Sequence, residues 1–192
     1  MKRKADVVQT LSKGIEALLA KNKVVKIKGT GRLAGAGRVH VMSTDGSVTE
    51  VSAQRIVLAV GSHSVILPGI ECDGRRVGTS TEALSYAEVP KHLVVIGGGY
   101  IGLELGSVWR RLGSKVTVLE YSDRILTGID SEIASDALVL FRKQGLDIHL
   151  GVKVLSAKAA GEGCVVQAEG SDAIHCDRVL AATGRKPATS DI

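Results

Sequence analysis

Apolar positions along the first third of the chain change period several times. Between Asp6 and Asn22, Val7, Val8, Leu11, Ile15, Leu18 and Leu19 recur at the three- and four-residue intervals that place side chains on one face of a helix. Val24–Lys28 then reads as a strand closed by Gly29-Thr30-Gly31. Arg38–Met42 and Val48–Ser52 alternate around Asp45-Gly46, the pattern of a hairpin. Arg55-Ile56-Val57-Leu58-Ala59-Val60 is a run expected to form a buried strand ending at Gly61. The stretch Ser64–Gly78 contains Pro68-Gly69 and reads as an exposed connection and domain boundary.

Beyond it, strand and helix patterns alternate. Leu93–Ile96 is continuously apolar, as in a strand covered on both faces of a parallel sheet. Tyr100–Leu112 has helical spacing and stops at Gly113. Val116–Leu119 is a second strand, Asp130–Gln144 a second helix and Leu146–Leu150 a short third strand. Val152–Glu169 reads as an antiparallel excursion, and Arg178–Ala182 returns as a buried strand before Thr183-Gly184. The expected class is α/β with a parallel sheet.

Composition narrows the function classes. Hydrophobic residues make up 44% of the 192 and charged residues 23%, which excludes a disordered chain. The net charge of +5 comes from 25 basic residues scattered among 20 acidic ones, with 3% aromatics, so a nucleic-acid surface is not expected. No apolar run reaches the roughly 18 residues of a membrane helix, and the basic start Met1–Lys4 leads into Asp6 rather than an apolar core. Cys72, Cys164 and Cys176 form no CxxC pair, which points to a reducing compartment. They read as small packing residues.

The chemistry centres on Gly97-Gly98-Gly99-Tyr100-Ile101-Gly102, a GxGxxG between a buried strand and a helix. In a dinucleotide-binding turn the first glycine allows the tight bend and the second removes the Cβ that would block a pyrophosphate. The third lets the helix lie close to the sheet. Glu120 ends the next strand 18 residues after Gly102 and can accept hydrogen bonds from ribose hydroxyls, while repelling a 2′-phosphate. NAD is therefore expected over NADP, in a Rossmann-like domain. Arg124 is the one nearby cation that would favour a 2′-phosphate, unless it sits in a solvated loop. Glu104, early in the helix, reads either as a charge placed by the helix dipole or as a residue at the cofactor end.

Gly97–Gly113 resembles the central segment of the dihydrolipoamide dehydrogenase family, among the flavoprotein disulfide reductases. Flanking pieces match in order: Asn22–Val25, Leu67–Gly69, Val116–Glu120, Lys143–Gly145 and Thr183–Pro187. The resemblance implies NAD contacts at Gly97, Gly98, Gly99, Tyr100, Ile101, Gly102, Leu103 and Glu104, with Glu104 near the nicotinamide, and at Glu120, Val154 and Gly184. It implies that residues 1–75 are part of an FAD-binding domain and 76–192 the NAD-binding domain. FAD would be met at Gly31 and at Val60, Gly61 and Ser62, with Val60 standing where the family usually has threonine. The family's redox-active cysteine pair, its first FAD glycine motif and its C-terminal dimerisation domain with a His–Glu pair match nothing in these residues, and none of the five histidines lies in a matching motif. The expectation is thus a central fragment, inactive alone. Its parent would oxidise dihydrolipoyl groups on lipoyl domains of 2-oxo acid dehydrogenase complexes. That parent is expected to be a homodimer, cytoplasmic or in the mitochondrial matrix. A mercuric, glutathione or transhydrogenase-like reductase and a non-catalytic dinucleotide-binding module are the alternatives.

Overall fold

The computed structural model describes residues 1–190 and Ile192. It divides into two compact units, Met1–Ser62 with Pro187–Ile192, and His63–Lys186.

The first unit holds α1 (Lys2–Lys21) and an antiparallel sheet of β1 (Thr30–Leu33), β2 (Arg38–Met42) and β3 (Val48–Ser52) in the order β1-β2-β3. The β2–β3 hairpin closes as its alternation predicts, with Met42 opposite Val48. In its turn the Asp45 carboxylate accepts the Ser47 N–H at 2.9 Å. Helix α1 has its expected apolar stripe, yet buries no residue. Two expected strands are absent. Val24–Lys28 and Arg55–Val60 join no ladder among the described residues, and Thr30-Gly31 opens β1 instead of closing a preceding strand. A strand leaves its N–H and C=O groups unsatisfied until a neighbour pairs with them, and here neither run meets one.

β4 (Ser62–Ser64) and β13 (Arg185–Pro187) lie where the chain passes from one unit to the other. The second unit continues in the chain order β5 (Val77–Gly78), α2 (Ser80–Ala83), β6 (His92–Ile96), α3 (Tyr100–Arg111), β7 (Lys115–Leu119), α4 (Ser131–Lys143) and β8 (Leu146–His149). An antiparallel meander of β9 (Val154–Ala160), β10 (Gly163–Ala168) and β11 (Ile174–Cys176) follows, and then β12 (Arg178–Ala181). The main sheet runs β5-β12-β6-β7-β8, and every pair in it is parallel.

Because successive strand residues point to opposite faces, a continuous apolar run serves two cores. Leu93, Val95, Val116, Val118 and Leu180 pack against Leu103 and Trp109 of α3. Val94, Ile96, Leu119 and Val179 pack against Ala157, Cys164 and Val166 of the meander. The fold is α/β with a parallel sheet, as expected.

The expected exposed connection is corrected in part. Ile70 and Val77 are buried in the meander-side core, and β5 extends the sheet. The Asp73 carboxylate accepts the N–H groups of Arg75, Arg76 and Val77 at 2.7–2.9 Å, turning the chain into β5.

Candidate dinucleotide site

Parallel strands end together, so the turns leaving the C-terminal ends of β6, β7 and β12 converge. Gly97 leaves β6 with its N–H donated to the Leu119 carbonyl at 2.8 Å. Its φ is +108°, and a Cβ there would collide with the Ala182 carbonyl oxygen. A Cβ on Gly102 would collide with the Gly97 carbonyl, so the third glycine fixes how closely α3 approaches the turn. Gly99 is different: its Cβ would meet nothing within 4 Å. The space beside Gly99 is open, as a ligand approaching the backbone requires. Gly99 is also the N-cap of α3 and offers no side chain to the helix's first N–H groups.

Glu120 stands opposite, just past β7. One carboxylate oxygen accepts the Gly98 N–H at 2.5 Å and the other accepts the Ser122 N–H at 2.7 Å. A carboxylate oxygen has about two lone-pair sites, so each keeps one for a further donor. Glu120 thus holds the glycine turn and presents acceptors to the cavity in front of it.

That cavity, about 350 Å³, is lined by Gly97, Gly99, Glu120, Val154 and Gly184, together with Lys153. Tyr100 and Ile101 line a smaller recess that shares Gly99 and Gly184. Gly98 lies behind, against Glu120 and Ile125. Gly102 and Leu103 are buried in the packing of α3. Glu104 is exposed and lines neither space. It also lies beyond the first turn of α3, which has no acidic residue, so the reading of it as a helix-start charge falls. Arg124 is exposed and donates to the Thr127 carbonyl at 2.9 Å, an arrangement that ties it to its own loop. Gly31, Val60, Gly61 and Ser62 belong to the other unit and are exposed there.

Lys153 and Thr183 also line the cavity, although neither is assigned a role there from the sequence. Lys153 lies just before β9 and is ion-paired with Glu169 at 3.3 Å. Thr183 follows β12, and its hydroxyl donates to the Val65 carbonyl at 2.6 Å, tying the Val65–Gly69 segment to the cavity rim. Away from this end, burial holds the imidazole of His92 below its ordinary pKa, despite its contact with the His175 carbonyl. Among the described residues no helix is long and apolar enough to cross a membrane.

Comparison with known proteins places this geometry. The chain is 50% identical over 197 residues to dihydrolipoyl dehydrogenase 3 of Pseudomonas putida, covering 100% of this chain and 42% of the relative. It is 40% identical over 197 residues to the mitochondrial dihydrolipoyl dehydrogenase of Pisum sativum, covering 100% and 39%. Among solved structures, the HOCl-induced flavoprotein disulfide reductase RclA of Escherichia coli matches with a TM-score of 0.84 at 31% identity, covering 100% of this chain and 43% of that one. The chain therefore spans about two fifths of the length of the proteins it matches. The family model for pyridine nucleotide-disulphide oxidoreductases matches residues 1–192, and the chain belongs to that family.

Proposed function

We propose that this chain supplies the NAD site of a dihydrolipoamide dehydrogenase. The observation that carries the reading is the convergence of Gly97, Gly99 and Glu120 on one cavity, with open space beside Gly99 and free acceptor capacity on Glu120. The residues fit the cofactor part by part. The α3 N-terminus holds the pyrophosphate through its N–H groups, Glu120 holds the adenosine ribose, and Val152 and Val154 give the adenine an apolar wall. When bound, NAD supplies a hydride acceptor, which these residues orient. A second carboxylate, Glu104, faces the nicotinamide end once the rest of the protein surrounds α3.

In the same reading, residues 1–75 are part of an FAD-binding domain and residues 76–192 the NAD-binding domain, with Gly31 and Val60–Ser62 meeting FAD by their backbone. The substrate of the whole protein is a protein-bound dihydrolipoyl group on the lipoyl domain of a 2-oxo acid dehydrogenase complex. Its oxidation passes through a disulfide and FAD, and the working protein is a homodimer of the cytoplasm or mitochondrial matrix. The three cysteines of this chain supply no such disulfide pair in sequence, so these 192 residues alone turn over no dihydrolipoamide.

Calorimetric titration with NADH and NADPH tests the site. Saturable NADH binding at least about tenfold tighter than NADPH, ~1.4 kcal/mol, is the expected result. Gly99→Val should abolish binding while leaving the melting transition in place, and Glu120→Ala should erase the preference. A chain that melts cooperatively yet binds neither nucleotide would overturn the assignment.

A further inference from the structure

The meander places two cysteines face to face. Cys164 on β10 and Cys176 on β11 are direct register partners in an antiparallel ladder, so their side chains leave the same face of the sheet. Both enter the core against Val94 and Val179 of the main sheet. The Cys164 Sγ also lies 3.7 Å from the Asp177 carbonyl, to which it donates. Directly opposed residues of an antiparallel pair have Cα atoms about 4.5–5.5 Å apart, within the roughly 4.4–6.8 Å that a disulfide spans.

We propose that Cys164 and Cys176 form a peroxide-sensitive dithiol that closes to a disulfide.

Several features of the surroundings support the step. The neighbouring Cys176 side chain holds the Cys164 thiol below its ordinary pKa, against the opposing effect of burial. Arg178 and Arg76 act in the same direction and Asp73 against it. One guanidinium nitrogen of Arg76 is fully buried with no hydrogen-bond partner, so part of that positive charge is not spent elsewhere. The neighbouring Cys164 side chain and burial push the Cys176 thiol up. One sulfur is thus poised as nucleophile and the other as resolving thiol.

The chemistry balances with a peroxide as oxidant. The Cys164 thiolate attacks one oxygen of hydrogen peroxide, the O–O bond breaks, and the departing hydroxide takes up the thiol proton as water. Cys164 is then a sulfenic acid. The Cys176 sulfur attacks the Cys164 sulfur, the S–O bond breaks, and the hydroxyl leaves with the Cys176 proton as a second water. Two thiols and one peroxide give one disulfide and two waters. Cys164 is 2% exposed and Cys176 8%, so an oxidant of water size reaches them where a bulky disulfide does not.

Peptide mapping of the unmodified chain tests the proposal. The folded protein is treated with hydrogen peroxide, unfolded, alkylated, digested and weighed. The expected product is the Cys164 peptide joined to the Cys176 peptide, lighter by two hydrogens and separated again by dithiothreitol, with exposed Cys72 outside the link. Glutathione disulfide should produce the same link at least tenfold more slowly. Cys176→Ser should leave a sulfenic acid on Cys164 that dimedone traps when the protein is unfolded in its presence, and the mapping of the unmodified chain stands even where that variant fails to fold. Full alkylation of both cysteines after peroxide would overturn the proposal. Conversion of Cys164 to a sulfinic acid without a link, or closure by glutathione disulfide as fast as by peroxide, would do the same.

Discussion

Arg55–Val60 and Leu93–Ile96 are nearly interchangeable as sequence: short aliphatic runs, each stopping at a glycine. In the structure they part company. Val57 is 89% exposed and joins no ladder, while Leu93, Val94 and Val95 are 0% exposed between two parallel neighbours. The same contrast separates the helices: α1 buries nothing, whereas α3 buries Gly102, Leu103, Gly106, Ser107 and Trp109 against the sheet. An apolar pattern states that a segment needs a partner. Only the rest of the fold decides whether it has one.

The sharpest way to break this comparison is to cut equivalent side chains in the two units. Leu180→Ala empties a fully buried position in the helix-side core and should cost about 2–5 kcal/mol in denaturant melts. Leu58→Ala, at a position already 52% exposed, should cost less than about 0.5 kcal/mol. Equal losses would mean that Arg55–Val60 is as well packed as the sheet.

A smaller contrast uses two glycines of similar backbone conformation. Gly97 and Gly61 have φ values of +108° and +76°. A Cβ on Gly61 meets open space, so Gly61→Ala should lose only the left-handed penalty of roughly 1–2 kcal/mol. Gly97→Ala adds a collision with the Ala182 carbonyl and should lose more, together with NADH binding. Thermal melts and nucleotide titration of both variants distinguish the two costs.

Helix ends give a third comparison. Asp130 caps α4 by accepting the N–H groups of Glu132 and Ile133, and Asp130→Ala should cost about 1 kcal/mol. No side chain caps α1, whose N-cap is Met1. Substituting Met1 should therefore leave stability unchanged.

The smallest effect is a pH slope to which two carboxyls of the second unit contribute. Backbone donors hold two carboxyls below their ordinary values despite burial: Thr79 for Glu82, and Arg75, Val77 and Arg76 for Asp73. A depressed carboxyl binds fewer protons folded than unfolded, so its contribution is present above the unfolded pKa and is lost as pH falls through the folded one. Melting temperature should thus decline below about pH 4.5, the ordinary value for Glu82. The double variant Asp73→Asn, Glu82→Gln should show a shallower decline.

Much of the second unit was legible because its signals are local. The β6 run, the three glycines and Glu120 fall within the 28 residues Leu93–Glu120, and each has its own physical reason to be where it is. Helix α4 announced itself by Asp130 and Gly145. What the sequence did not disclose arises from distant pairing. Lys153 and Thr183 reach the cavity only because β9 and β12 bring them there. Cys164 and Cys176, twelve positions apart, look like isolated packing residues until the β10–β11 register sets them opposite each other. Ser64–Gly78 was misread for a related reason. Its turn residues were visible, but the contacts of Ile70 and Val77 with the meander were not.

The most direct test of the central claim is a residue-resolved one. Backbone amide NMR spectra of the chain recorded during titration with NADH should show saturable shifts at Gly97–Gly102, Glu120–Ser122, Val152–Val154 and Thr183–Gly184. The signals of α1 and the β1–β3 sheet should stay unmoved. Shifts confined to the first unit, or an unchanged glycine turn in a folded chain at saturating NADH, would contradict the account.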